Sequence, residues 1–155
     1  MIADQRLFEG YRDKLRGLAV SHVWRGHGSA LFLEFGQRSR GKAQADRQAG
    51  HPQGQFGIMI QWSWRIESSD KILCGSWSDD ELWEPSFKRL LGEQVVDAGC
   101  FGRLPEITVE LTSGLHIVSF MTAEGEPEWT IFDRTRSTGK ATWIRVKNGS
   151  IIEED

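Results

Sequence analysis

Hydrophobic positions in this chain recur mostly at every second residue, the period of a strand with one buried face. The clearest run is GIMIQWSWRIESSDKILCGSW, residues 57–77, in which Ile58, Ile60, Trp62, Trp64 and Ile66 share one parity and Met59, Gln61, Ser63 and Arg65 the other. A helix would scatter those five apolar residues around its circumference. The pattern predicts a strand over 57–66, a polar turn at Glu67-Ser68-Ser69-Asp70 and a return strand from Lys71 to Trp77, together a hairpin.

Two segments carry helical spacing instead. Ile2, Leu7, Phe8, Tyr11 and Leu15 mark an amphipathic helix over 4–16, with Asp4 as N-cap and Gly17 as stop. Leu82, Trp83, Phe87, Leu90 and Leu91 mark a second, which begins near Glu84 because Pro85 is tolerated only within a first turn. Asp79, Asp80, Glu81 and Glu84 then read as carboxylates that complement the dipole at its start. Further strands are expected at 18–25, 30–35, 93–101, 106–112, 115–121, 128–132, 140–147 and 150–153. The last two flank Asn148-Gly149, a pair that accepts the positive φ of a tight hairpin. The expectation is ten strands and two helices.

That order contains a second pattern. Leu15, Gly17 and Val20 match Leu90, Gly92 and Val95 at an offset of 75 residues, and Leu31, Leu33, Glu34 and Phe35 match Ile107, Val109, Glu110 and Leu111 at 76. Gly57, Ile58, Ile60 and Trp64 match Gly114, Leu115, Ile117 and Met121 at 57, so nineteen extra residues, 76 minus 57, fall in a connection of the first half. We therefore expect a single α+β domain over 1–155, mainly antiparallel β. It is built from two tandem helix-plus-four-strand repeats at about 4–77 and 79–133, related by a pseudo-two-fold, with a C-terminal hairpin at 140–153. Each helix is expected on its own sheet. The alternative is a single β-sandwich or half-barrel capped by two helices.

Composition changes this picture in two places. Residues 36–56, GQRSRGKAQADRQAGHPQGQF, have almost no apolar side chains, so a mobile loop is expected over 37–55. Arg38, Arg40, Lys42 and Arg47 against Asp46 give it +3, which leaves −6 on the rest of a chain whose net charge is −3. Seven Trp and eight Phe against one Tyr supply bulky rings for a core or a binding face. A pI of about 5.8 offers no field for nucleic acid or an anionic membrane. The charged N-terminus lacks a signal-peptide core, and no apolar run approaches the ~18 residues of a membrane span; a cytoplasmic location is expected. Cys74 and Cys100 are read as buried free thiols.

Catalytic and metal signatures are not found. His22, His27, His51 and His116 have no zinc-like spacing, with His27 and His51 read as solvated and the other two on sheet faces. There is no phosphate-binding loop and no Gly-x-Ser-x-Gly elbow, and Cys74 has no neighbouring His. Arg65 is expected to pair with a carboxylate of a neighbouring strand or to lie over an aromatic face. No cofactor or metal is assigned, and the chain is read as a non-enzyme.

Trp64-Arg65-Ile66, a short polar turn, Gly75-Ser76 followed by Asp79 and Asp80, then Leu-x-Gly, Leu-x-Ser-Gly and Glu126-x-x-Trp129 form a set of short motifs. Over residues 15–133 this set resembles small uncharacterised bacterial proteins of a domain-of-unknown-function type, some of them similar to immunity proteins of toxin systems. The chain departs from them in its longer, more basic segment 36–56. The resemblance implies a non-catalytic protein-binding module, of the immunity-inhibitor kind, with a protein partner. Arg38, Arg40, Arg47, Trp62, Arg65 and Asp79 are the candidate binding residues, because they lie where the two halves differ. A small-ligand-binding protein with a Trp-lined cavity and an enzyme of unfamiliar type are the alternatives, and pairing of an exposed sheet edge would make a homodimer.

Overall fold

The computed structural model describes residues 2–39 and 51–155. Its elements are α1 (Ile2–Leu15), β1 (Val20–Arg25), β2 (Leu31–Phe35), β3 (Phe56–Ile60), β4 (Trp64–Glu67), β5 (Ile72–Gly75), a 3-10 turn (Asp80–Leu82), α2 (Trp83–Leu90), β6 (Val95–Phe101), β7 (Glu106–Leu111), β8 (His116–Ser119), β9 (Trp129–Asp133), β10 (Thr142–Lys147) and β11 (Ser150–Glu154). The strands form two open antiparallel sheets, one of six in the order β1-β2-β3-β9-β10-β11 and one of five in the order β5-β4-β8-β7-β6. The protein is α+β and mostly β.

The strand foreseen over 57–66 is two strands in different sheets. β3 ends at Ile60, Gln61 to Ser63 turn the corner, and β4 joins the five-stranded sheet. Parity survives because both sheets face one core: Ile58, Ile60, Trp64 and Ile66 are all buried, whereas Trp62 at the corner is only half-buried. The return strand is shorter than expected, Ile72–Gly75, and the hairpin register shifts between Ile66 and Glu67.

The second half makes the reverse crossing. β8 lies beside β4 and β9 beside β3, so each half supplies strands to the other's sheet. The two connections run past each other, with Gln61 N–H donating to Glu128 O at 2.9 Å and Phe120 N–H to Ser63 O at 3.1 Å. At the start of each meander Gly17 N–H donates to Val95 O at 2.9 Å and Gly92 N–H to Val20 O at 2.8 Å, bonds that map onto each other under the 75-residue offset. The β1–β2 register shifts between Val20 and His22, and the β6–β7 register between Val95 and Asp97, positions 75 residues apart in the chain.

Both helices stop before a glycine in the left-handed region, Gly17 at φ 87° and Gly92 at φ 83°, which an L side chain would resist. They do not sit each on its own sheet. α1 packs against β11 and β6, and α2 against β1 and β5, so each spans from one sheet to the other. Phe8, Tyr11 and Leu15 of α1 and Trp83, Phe87 and Leu90 of α2 join a single cluster with the inner faces of both sheets. Asp4 is inside α1, not its N-cap, and its carboxylate accepts the Ile151 N–H at 3.0 Å. The C-terminal hairpin turns at Asn148 and Gly149, both at positive φ (52° and 81°), and adds the last two strands of the six-stranded sheet.

Candidate functional site

The outer face of the six-stranded sheet is unusually rich in rings. Pairing aligns His22, Glu34, Gly57, Phe132 and Trp143 in one row and Trp24, Phe32, Met59 and Thr130 in the next. Between the two banks lies a hollow of about 570 Å³, whose walls include Trp24, Phe32, Phe132 and Trp143. Arg134, just beyond β9, reaches over Gly57 to place Nη1 2.7 Å from Glu34 Oε1 and 3.1 Å from Gly54 O. The Gly54 N–H donates to the same carboxylate oxygen at 2.9 Å.

Glu34 is almost fully buried and Arg134 only partly so. Burial pushes the Glu34 carboxyl above its ordinary value, opposed by Arg134 and by the Gly54 N–H. Breaking such a pair from one side costs about 3–5 kcal/mol, because the remaining charge stays desolvated.

His51 is not solvated, as the sequence suggested, but stacked on Trp24 at 4.1 Å, with its Nδ1 3.0 Å from His22 Nε2. Burial holds the His22 pKa below its ordinary value, and His51 and Arg38 add to this against the opposing pull of Glu84. The two described ends of the segment 37–55 are anchored, with Ser39 N–H donating to Gln53 O at 2.7 Å and Gln37 N–H to Gln55 Oε1 at 3.0 Å. Residues 40–50, the middle of the segment expected to be mobile, lie outside the described residues.

A second hollow, of about 760 Å³, lies on the outer face of the five-stranded sheet. Ile72 (54% exposed), Trp77 (80%), Phe101 (38%) and Phe120 (61%) line it, together with Val118 and Arg65. The rings of Phe101 and Phe120 lie nearly parallel, with centroids 6.5 Å apart. Its serines are already engaged: Ser63 Oγ donates to Phe120 O at 2.6 Å, while Ser76 Oγ accepts from Trp64 N–H at 3.3 Å and Ser78 Oγ from Gly75 N–H at 2.8 Å.

The candidate binding residues do not converge. Arg65 is exposed in the apolar hollow, paired at 2.6 Å with Glu67 of its own strand and not with a neighbouring one. Trp62 sits at the sheet corner and donates its indole N–H to Glu128 at 3.1 Å. Arg38 is exposed and lies close enough to His22 to depress its pKa. Arg40 and Arg47 lie outside the described residues. Asp79 is exposed and makes no side-chain cap, and Asp80 pairs with Arg25 at 2.8 Å, whereas Glu84 lies in the first turn of α2, where its charge complements the dipole as expected. Arg25 also lies over the Trp83 ring at 4.1 Å.

Of the cysteines, Cys74 is buried, and burial raises its pKa; Cys100 is exposed on β6, contrary to the expectation of two buried thiols. Among the described residues no group of three or more metal-ligating side chains converges. No described helix is long and apolar enough to cross a membrane. Sequence reasoning missed Glu34, Arg134 and Trp24. An acidic residue between Leu33 and Phe35 in an otherwise apolar strand was the available signal. No protein-family model, no curated protein sequence and no solved structure matches the chain.

Proposed function

We propose that the protein is a non-catalytic binding module that docks a second protein on the outer face of its five-stranded sheet. The observation that carries this is the gathering of Ile72, Trp77, Phe101 and Phe120, all exposed, around one hollow that also holds Arg65. Large rings with an arginine are the composition of binding hot spots, because they bury much area for few rotatable bonds. The occupant is a protein and not a small polar molecule, since the lining is mainly apolar and ring-rich, with Arg65 its one charged residue. Its contact surface is apolar, with aliphatic or aromatic side chains to fill the hollow.

The resemblance to immunity proteins makes a toxin encoded nearby the first partner to test. A photo-crosslinking side chain at position 77 should capture that partner in stoichiometric yield, and Phe120→Asp should abolish the capture. Trp77 and Phe120 are exposed, so Trp77→Ala and Phe120→Asp should leave the unfolding free energy within about 0.5 kcal/mol of the parent. Capture that is indifferent to Phe120→Asp would overturn the reading. A crosslink to a second copy of the chain, lost in the same variant, would replace the foreign partner by a homodimer.

A further inference from the structure

Trp24 is where the six-stranded sheet leaves its own chemistry unfinished. Its ring is clamped from both sides, by Phe32 at 4.0 Å and 9° and by His51 at 4.1 Å and 8°, so it cannot turn. The indole is nine-tenths buried, and it lies close enough to the Glu34 carboxylate to favour its charged form. Among the described residues Nε1 is the one buried side-chain polar atom with no hydrogen-bond partner. Buried donors are seldom left so, because the desolvation cost is not returned. Trp24 and Glu34 both line the 570 Å³ hollow, a size within the range of small-molecule sites, about 300–1,000 Å³.

We propose that this groove binds a neutral saccharide, with a sugar ring seated over Met59, beside the Arg134 guanidinium, and its hydroxyls on the Trp24 indole N–H and the Glu34 carboxylate.

Charge selects against ionic ligands. Glu34 and Arg134 already neutralise each other at 2.7 Å. A cation would have to displace Arg134 and an anion to displace Glu34, and either exchange breaks a buried pair.

Hydrogen-bonding capacity selects for hydroxyls. The indole only donates, and an ionised carboxylate only accepts. One hydroxyl, or two neighbouring ones, can accept from Trp24 and donate to Glu34, and the exposed rim residues Gln37 and Gln53 bear side-chain amides able to do both.

Ring geometry selects against a flat heterocycle. Both faces of Trp24 are covered, and the Arg134 guanidinium lies over Phe132 at 5.3 Å. The rings of the open bank, Phe132 and Trp143, stand at 51° and offer no parallel pair for stacking. A puckered ring with apolar C–H edges and polar substituents fits such walls.

The test is to screen the full chain against an array of neutral mono- and oligosaccharides and to titrate each hit by calorimetry beside gluconate, glucosamine and adenosine. The expected result is saturable binding of at least one neutral sugar, at millimolar concentration or below, with no binding of the three controls. Trp24→Phe keeps an aromatic ring between Phe32 and His51 but removes the N–H together with part of the indole, and should weaken binding at least tenfold. Should that variant not fold, Gln53→Ala, exposed on the rim, should weaken it several-fold with an unchanged melting curve. Trp77→Ala on the other sheet should leave saccharide binding intact, which separates this site from the protein-docking face. The proposal is overturned if no neutral saccharide binds, if a control binds as well as the best sugar, or if neither groove variant changes the affinity.

Discussion

A Cβ on residue 57 would stand 3.0 Å from both terminal nitrogens of Arg134 and 3.1 Å from Glu34 Oε1. The absence of a side chain at Gly57 is therefore what lets Arg134 cross the sheet to a carboxylate 100 residues away in the chain. Gly57→Ala should push the guanidinium off Glu34 and lower stability by about 1–3 kcal/mol, the cost of a poorly satisfied buried polar group. Urea unfolding measures this, and an unchanged midpoint would show that Arg134 can bend around a methyl group.

Arg134→Met should cost about 3–5 kcal/mol near neutral pH, since Glu34 stays buried without its cation. Glu34 already has a folded-state pKa above its ordinary 4.5, so the native protein binds more protons there than the unfolded chain between those two values. Removing Arg134 raises that pKa further. The deficit of the variant should shrink as pH falls toward 4.5, where protonation removes the buried charge. A deficit that is constant with pH would mean the charge of Glu34 is not its source.

Tyr11 is the only tyrosine in the chain, so its ionisation can be read directly by ultraviolet absorbance. Burial raises its pKa from 10.0 to about 12, helped by Glu153, which accepts its hydroxyl at 2.7 Å, and opposed by Thr142. The native protein should show a phenolate midpoint near 12 and the urea-unfolded chain one near 10. Because the folded state keeps this proton longer, stability should fall as pH rises from 10. A native midpoint near 10 would refute the burial of the hydroxyl beside Glu153. Tyr11→Phe should cost about 1.5–3 kcal/mol, the usual value of a bond to a charged group.

His22 carries the opposite dependence. Its folded-state pKa lies below 6.5, so the unfolded chain binds the extra proton, and stability should fall as pH drops through 6.5 and level off below the folded value. His51 and Arg38 face it with positive or potentially positive charge, and Glu84 opposes them. Denaturation midpoints of the parent and His22→Gln, followed from pH 8 to pH 5, should converge at the acid end. Parallel curves would exclude His22 as the titrating group.

Much of the fold was legible along the chain. Two-residue alternation marked the inward faces of nearly every strand, Leu-x-Gly marked both helix ends, and Asn148-Gly149 marked the last hairpin. These signals are local, since they need only the period of side-chain directions and the φ a residue tolerates. The corner at Gln61 to Ser63 left no trace because alternation records which face is buried and not which sheet buries it. Ile60 and Trp64 keep the same parity on either side of it.

For the candidate sites the division is sharper. Sequence by itself determined that Trp is abundant and that the segment after Phe35 cannot form a core. Only the tertiary structure decided that Arg134 would neutralise Glu34, that His51 would clamp Trp24, and that Trp77 and Phe120 would share one hollow. Their partners lie far apart in the chain and meet because β3 and β9, and likewise β4 and β8, pair across the two halves. Strand pairing between distant segments is set by how two faces close on one core, a property of the whole chain that no local pattern contains.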